Sequence, residues 1–166
     1  MLSDGAGNPR VSIPTGTATA TIPNATGTVM VSGNMPAFSA YASSTQTITT
    51  GVFTKVQINT KVFDTATAFD AATNYRFTPL VAGYYQINGA VQYGLAGTNQ
   101  LVMIYKNSAE FYRGFQGSAV DLTVSGLVYM NGSTDYIELY TYATGGGTLQ
   151  SGSPYTYFNG CLVRSA

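Results

Sequence analysis

Hydrophobic and polar residues alternate with a period of two over most of the chain from residue 37 onward. The alternation is clearest in GYYQINGAVQY (residues 83–93), where tyrosine, isoleucine and valine fall on one face and glutamine and asparagine on the other. AVDLTVSGLVYM and TDYIELYTY show the same pattern, and QLVMIYKN is an apolar strand that ends in polar residues. A period of two is typical of half-buried β-strands. No segment of helical length shows a 3.6-residue period.

Glycine-rich segments separate these strands: GLAGTN, GFQGSA, NGSTD and ATGGGTLQSGSP. Such segments are typical of turns between consecutive strands. The spacing predicts roughly eight to ten short strands in an all-β antiparallel sandwich or jelly roll.

The last predicted strand, PYTYFNGCLVR (residues 154–164), is apolar on both faces. One face carries Thr156, Phe158, Gly160 and Leu162, and the other carries Tyr155, Tyr157, Cys161 and Val163. A half-buried strand should be polar on one side. We therefore expect the first face to pack into the sandwich and the second to need another partner.

Residues 1–36 differ from the rest of the chain. They contain no aromatic residue and are rich in Gly, Thr, Ala, Ser and Pro. One interpretation is a disordered leader. The other is an extended arm that becomes ordered only against neighbouring subunits or a larger particle. We predict an arm over residues 1–36 and a folded head over residues 37–166.

The low charge of the chain restricts its partners. Only 8% of the residues are charged and the net charge is zero, whereas about a quarter of the residues of an average domain are charged. Near-neutral surfaces associate readily, which indicates an assembly subunit. The sequence has no basic patch that could bind nucleic acid, and it has no apolar stretch that is long enough for membrane insertion. The first residues also lack the pattern of a secretory signal peptide.

An ordered set of motifs between Ala37 and Arg164 resembles the complement C1q-like globular head, a relative of the tumour necrosis factor (TNF) jelly roll. AFSAYAS resembles the first strand of that family, FTKVQIN and FTPLVAGYY its central signature, and TYFNGCLV its closing motif. Between the central signature and the closing motif, MIYKNS resembles a turn of the family and STDYIEL resembles the strand that follows a later turn. The core-signature positions that match are Phe53, Asn59, Phe77, Gly83, Tyr85, Phe158, Gly160 and Leu162.

These matched residues also have physical roles of their own. Phe77, Tyr85 and Phe158 are bulky residues on the inward faces of strands, where we expect the core. Gly83 stands between a loop and a strand, which predicts a turn with positive φ. Gly160 in mid-strand predicts a bulge or the close approach of a neighbouring chain.

The chain also departs from the family pattern. An insertion separates Phe63 from Phe69, and Ile87 stands where the family usually has phenylalanine. The acidic loops that bind calcium in the family cannot be matched to this sequence. We therefore expect neither a metal site nor a cofactor.

The resemblance implies a homotrimer, because the terminal strand of the family lies in the sheet that packs around a threefold axis. The interface candidates are Tyr155, Tyr157, Cys161 and Val163. Burial of one aromatic ring contributes about 1.5–3 kcal/mol, so tyrosines could hold a trimer together without salt bridges. Alternatively, the N-terminal arm folds back over this face.

The sequence offers no catalytic residues. Histidine is absent, which removes the commonest general base. Cys161 lies in an apolar strand and is interpreted as a buried structural thiol and not as a nucleophile. Asp64 and Asp70 could act as a catalytic acid and base, but they flank a loop without other residues that would support such a role. We interpret them as solvated carboxylates. We expect a protein that is not an enzyme.

The stretch AEFYRGFQG is the candidate ligand site and is interpreted as a loop. Phe111, Tyr112, Arg113 and Phe115 combine aromatic rings with a planar cation, which suits contacts with sugars or proteins. Interior packing would explain two of these rings equally well.

The resulting hypothesis is a bacteriophage structural protein on the virion surface, made in the host cytoplasm. In this hypothesis it is a trimeric capsid decoration or head-fibre protein whose residues 1–36 bind other virion proteins. A tail-fibre tip that binds a host-surface glycan or protein is the first alternative. A secreted C1q-like recognition module and a glycan-active enzyme fit the sequence less well.

Overall fold

A computed structural model describes residues 35–95 and 97–166, and this part of the chain is built from strands. Nearly all of the predicted arm (residues 1–36) lies outside the described residues. The thirteen strands in the described part are β1 (Ala37–Tyr41), β2 (Gln46–Ile48), β3 (Thr54–Lys55), β4 (Thr60–Asp64), β5 (Phe69–Asp70), β6 (Arg76–Phe77), β7 (Gly83–Gln92), β8 (Gln100–Lys106), β9 (Ala109–Gly117), β10 (Asp121–Met130), β11 (Ile137–Ala143), β12 (Gly147–Leu149) and β13 (Tyr157–Ser165).

Most of the longer strands belong to two antiparallel sheets. A five-stranded sheet has the order β10-β7-β13-β1-β4, and a six-stranded sheet has the order β5-β6-β11-β8-β9, with β3 added to β11. A small third sheet pairs β12 with β2. The terminal strand β13 lies between β7 and β1, so the two ends of the described chain meet inside one sheet.

The core lies between the two sheets and contains a stack of aromatic rings. Phe38 packs against Phe77 with 4.3 Å between ring centroids and against Phe69 with 5.0 Å. Phe158 meets Phe38 edge to face at 5.3 Å, and Tyr85 meets Phe77 at 5.6 Å. These five residues come from five strands, so the stack joins both sheets.

Two glycines allow the backbone to pack closely. The positive φ predicted at Gly83 is wrong, because Gly83 is absent from the positive-φ glycines of the described chain. Its missing side chain instead makes room for the carbonyl of Arg164. At Gly160 the close neighbours are Ile87 and Phe38 of the same chain, so within the described chain its need for space is intramolecular.

Several segments differ from the period-two prediction. The number of strands exceeds the predicted eight to ten because short pairs such as β5 with β6 carry no periodic signal. ATGGGTLQSGSP contains β12, and AEFYRGFQG is not a loop but β9. In β11 the burial alternates from Leu139 to Ala143 as predicted, but Glu138 on the outward side is buried as well. No helix in the described residues is long and apolar enough to cross a membrane.

Candidate interaction surface

The outward side of the five-stranded sheet is a broad surface that the described part of the chain leaves uncovered. In β7 the buried residues Tyr85, Ile87 and Val91 alternate with Tyr84, Gln86 and Asn88, which point away from the core. Register with the neighbouring strands extends this surface, here called the five-stranded face. It includes Ser39, Tyr41, Phe63, Tyr84, Gln86, Asn88, Thr123, Ser125, Leu127, Tyr129, Tyr157, Asn159 and Cys161. Its two charged members, Asp121 and Arg164, lie opposite the two ends of β7.

A neutral hydrogen-bond network occupies the centre of the five-stranded face. Gln86 donates from Nε2 to Ser125 Oγ at 2.9 Å, and Ser125 donates to Asn88 Oδ1 at 2.9 Å. Asn88 donates from Nδ2 to Asn159 Oδ1 at 3.0 Å. Three strands thus place amides and a hydroxyl together without any charge.

Aromatic and aliphatic side chains flank this network on both sides. On one side, Tyr84 and Tyr129 lie 5.5 Å apart beside the exposed Leu127. On the other side, Tyr41 pairs with Tyr157 across two strands, and Phe63 is exposed on β4. The face is therefore polar in the middle and apolar at its edges.

Shallow depressions run along the middle of the five-stranded face. One of about 270 Å³ lies between Tyr41, Val62 and Tyr157. Another of about 330 Å³ lies beside Phe63 and Cys161. Ser39 and Asn159 line both depressions, whose shallow shape suits the side chains of a packed partner more than an enclosed small molecule.

The interface candidates from the sequence are distributed unevenly. Tyr157 is half-buried and Cys161 exposed on the five-stranded face, and Val163 is exposed at the bulge between Leu162 and Arg164. Tyr155 is not in the strand, because its amide closes a turn onto the carbonyl of Gly152 at 3.0 Å. The second side of β13 also contains Asn159, so it is less apolar than predicted.

Most of the core-signature residues are buried, with one clear exception. The structure buries Phe77, Tyr85, Phe158 and Leu162, together with Gly83 and Gly160. Assignment of Phe53 to the core is wrong, because this side chain is 46% exposed. It precedes the two-residue strand β3 and packs its ring on Tyr142 outside the sandwich, at a centroid distance of 4.8 Å.

Asn59 is a half-buried polar anchor of the backbone. Its Oδ1 accepts hydrogen bonds from the amide of Ser43 at 2.8 Å and from the hydroxyl of Ser43 at 3.0 Å. These bonds tie the segment before β4 to the segment after β1.

The four ligand candidates do not form one cluster, because bulges in β9 turn them in different directions. Tyr112 aligns with the buried Ile104, packs over Gly126 and donates to the carbonyl of Leu127 at 2.9 Å. Arg113 aligns with Met103, on the other side of the sheet. Phe111 and Phe115 are exposed, and the Lys106 ammonium lies 5.8 Å from the Phe111 ring.

Arg113 is engaged with an acidic neighbour. Its Nε donates to Glu110 Oε1 at 2.8 Å, and a terminal nitrogen donates to Oε2 at 2.9 Å. These hydrogen bonds hold the pKa of Glu110 below its usual value. The cation on β9 is therefore already balanced by a carboxylate.

The two aspartates near the insertion shape loops. Asp64 accepts hydrogen bonds from the amides of Ala68 and Phe69, both at 3.0 Å. Asp70 accepts from the amides of residues 72 to 74, which lowers its pKa to about 2. Among residues 35–95 and 97–166, no three His, Cys, Asp or Glu side chains are grouped as a metal site would require.

Comparison with known proteins adds evidence for the fold. No protein-family model and no curated protein sequence matches the chain. Murine APRIL superposes with a TM-score of 0.64 at 11% identity, covering 78% of this chain and 100% of that chain. The globular domain of the zebrafish complement 1qA protein superposes at 0.57 with 23% identity, covering 79% and 99%.

The fold is a C1q/TNF-like jelly roll. The resemblance predicted from the sequence motifs is thus confirmed at the level of the fold. Vertex protein P5 of phage PRD1 is also similar, with a TM-score of 0.57 and 20% identity over 76% of this chain and 72% of that chain. This chain is therefore similar in fold both to animal proteins and to a viral vertex protein.

Proposed function

We propose that this C1q/TNF-like jelly roll is a non-enzymatic structural protein of a bacteriophage virion surface. In this proposal it forms a homotrimer that decorates the capsid or forms a head fibre, and residues 1–36 attach it to other virion proteins. The likeness to a phage vertex protein supports the viral location. The five-stranded face is the observation that carries the proposal.

The five-stranded face has the properties of a subunit interface. Val62, Phe63, Tyr84, Leu127 and Tyr129, on this face or at its β4 edge, are between 41% and 59% exposed. Extended apolar patches are rare on monomeric proteins, and the centres of interfaces are depleted of charge and enriched in tyrosine. Sister subunits would cover this face, in the arrangement that the family resemblance implies.

The proposed arm starts beside the same face. The carbonyl of Pro36 accepts a hydrogen bond from the amide of Leu162 at 2.9 Å, and Thr65 donates one to the carbonyl of Ala37 at 3.0 Å. The chain therefore enters the sheet between β13 and the end of β4. An arm from each of three subunits would start near the proposed interface and could bind the surface below the trimer.

The trimer is tested by a charge placed on the five-stranded face. We expect Tyr157→Asp to dissociate the trimer to monomers, because a carboxylate would be desolvated at the interface. Leu80→Asp is the control, since Leu80 is 73% exposed outside this face and its variant should keep the trimeric mass. Light scattering gives the mass, and an unchanged mass for Tyr157→Asp would contradict the interface.

The viral role is tested on particles. Mass spectrometry of purified virions of the encoding phage should detect the protein, and a variant lacking residues 1–36 should fold but not sediment with particles. Retained sedimentation would show that the arm is not the anchor. Binding of the protein to host cells instead of capsids would favour the fibre-tip alternative.

A further inference from the structure

The six-stranded sheet also has an outward side, and it differs from the five-stranded face. Register places Tyr142, Leu101 and Gln116 side by side across β11, β8 and β9. Phe53, the residue just before β3, continues this line by packing its ring on Tyr142. This set is called the Phe53 row. At about 4.8 Å between neighbouring strands, the row is about 14 Å long.

One end of the Phe53 row is an open aromatic platform. Tyr142 covers one side of the Phe53 ring at 4.8 Å and an interplanar angle of 34°. The Phe53 side chain nevertheless remains 46% exposed, and the adjacent Val52 is 47% exposed. An exposed phenylalanine that rests on a second ring presents a flat apolar surface to the solvent.

The middle of the Phe53 row is a buried apolar residue, Leu101. Leu101 is 3% exposed although it belongs to the outward side of the sheet, where it lies between Tyr142 and Gln116. It is absent from the central core cluster that contains its neighbours Val102 and Ile104. The row is therefore closed to solvent at Leu101, between its aromatic end and its polar end.

The other end of the row carries hydrogen-bonding groups. Gln116 is exposed, and its Nε2 donates to Asn99 Oδ1 at 3.1 Å. Arg113 donates to Gln116 Oε1 at 3.4 Å while both of its stronger bonds go to Glu110. Amide and guanidinium groups are thus fixed at a defined distance from the aromatic platform.

The charges around the row are paired. Lys55 forms an ion pair with Glu138, and Arg113 forms one with Glu110. This balance gives no net attraction for an anionic or a cationic ligand. A ligand that fits the row is uncharged, has one apolar flat side and carries hydroxyl groups.

We propose that the Phe53 row binds a neutral saccharide. The C–H groups of a sugar ring would pack on the Phe53 ring, whose face is the negative pole of its quadrupole. Hydroxyl groups of the same ligand would bond to Gln116 and Asn99. This inference goes beyond the proposed function, since it depends on the six-stranded sheet and not on attachment to a virion.

The test uses the full chain on an array of printed oligosaccharides. The array should carry neutral chains of hexoses and N-acetylhexosamines together with sialylated and sulfated chains. We expect binding to neutral chains. Failure to bind any neutral chain, or a preference for the anionic chains, would overturn the proposal.

Variants then locate the site. Loss of the platform in Phe53→Ala should weaken the affinity for a bound neutral chain about tenfold, whereas Leu80→Ala, which changes an exposed residue outside the row, should bind as the parent does. Gln116→Ala should weaken binding, and Gln57→Ala is its matched control. Equal binding by Phe53→Ala and the parent would overturn the proposal, as would loss of binding in Phe115→Ala alone.

The mass of each variant separates this proposal from the proposed function. Phe53→Ala and Gln116→Ala should keep the parent's mass and remain folded at the temperature of the assay, because both residues are exposed on the six-stranded sheet. Weaker saccharide binding by these variants, at an unchanged oligomeric mass, supports the Phe53 row as the binding site. Tyr157→Asp should lose multivalent binding but keep the affinity of a single site for a soluble oligosaccharide.

Discussion

At the scale of single residues, the absence of a side chain at Gly160 is what allows β13 to pack closely against its neighbours. Gly160 lies in the middle of β13 with the aromatic stack on one side and β7 alongside. A methyl group added there would lie 2.5 Å from Cδ1 of Ile87, 2.9 Å from the carbonyl oxygen of Gln86 and 3.1 Å from the Phe38 ring. The space under Gly160 is thus filled by a neighbouring strand and the core.

Gly160→Ala tests this packing. We expect the substitution to lower the free energy of unfolding by about 1–3 kcal/mol, because the backbone of β7 cannot move away without disturbing the sheet. Gly145→Ala is the matched control, since an added methyl group there meets nothing within 4 Å. Urea denaturation measures both variants, and equal stabilities would contradict the tight fit.

The negative charge of Asp70 stabilises the loop that follows β5. Its carboxylate accepts hydrogen bonds from the amides of Thr73 and Ala72 and from the side chain of Asn74, which lowers its pKa to about 2. A pKa that is lower in the folded state than in the unfolded state means that the stabilisation is present above about pH 4. The stabilisation is lost as the pH falls towards 2.

We therefore expect Asp70→Asn to reduce the acid sensitivity of the protein. The parent should lose stability between about pH 5 and pH 2, and the variant should lose less over the same range. The urea midpoint at several pH values measures the difference. Parallel curves for the two proteins would show that Asp70 does not contribute to the pH dependence.

At the scale of elements, short strands depend on side chains for their attachment. β3 has two residues and pairs with β11. Lys55 of β3 binds the carboxylate of Glu138, whose side chain is only 3% exposed, and also donates to the carbonyl of Asn74 at 3.3 Å. One ammonium group thus connects β3, β11 and the segment before β6.

Lys55→Met should lower the free energy of unfolding by about 1–3 kcal/mol, because it leaves the Glu138 carboxylate buried without its counter-ion. Addition of Glu138→Gln should restore part of the loss, since the neutral amide needs no counter-ion. Arg113→Met is the control, because both members of its ion pair with Glu110 are more exposed, at 43% and 32%. Equal losses of stability in Lys55→Met and Arg113→Met would show that burial of Glu138 does not strengthen the attachment of β3.

At the scale of the whole molecule, there is a division between the outward face of the six-stranded sheet, which carries paired charges, and the centre of the five-stranded face, which carries none. Lys55, Glu110, Arg113 and Glu138 lie on the outward side of the six-stranded sheet, whereas the centre of the five-stranded face holds only amides and a hydroxyl. A neutral face favours association with copies of the chain, and a face with paired charges stays hydrated.

This division predicts how the proposed trimer responds to salt. Between about 0.1 M and 1 M sodium chloride the Debye length falls from about 10 Å to about 3 Å, yet an interface without ion pairs should not weaken. Sedimentation velocity should give the same mass at both concentrations. Dissociation at high salt would mean that charged groups hold the subunits together, and the five-stranded face would then be the wrong interface.

The sequence by itself determined the strands whose two sides differ. In β7 and β10, alternation marks Tyr85, Ile87, Leu122 and Val128 as inward-facing, because the period of a strand is a local property of its backbone. The motifs around Phe77 and Phe158 likewise predicted the jelly roll, since bulky residues at fixed spacing reflect the aromatic core.

Only the tertiary structure decided what lies beside what. β7, β10 and β13 are not neighbours in sequence, so the network of Gln86, Asn88, Ser125 and Asn159 depends on register between distant segments. Phe53 lies outside the sandwich because its ring packs on Tyr142, which belongs to a distant strand. Bulges in β9 determine that Tyr112 and Arg113 lie on opposite sides of the sheet. Periodicity predicts which side of a strand is apolar, but the pairing of remote strands determines which side chains meet.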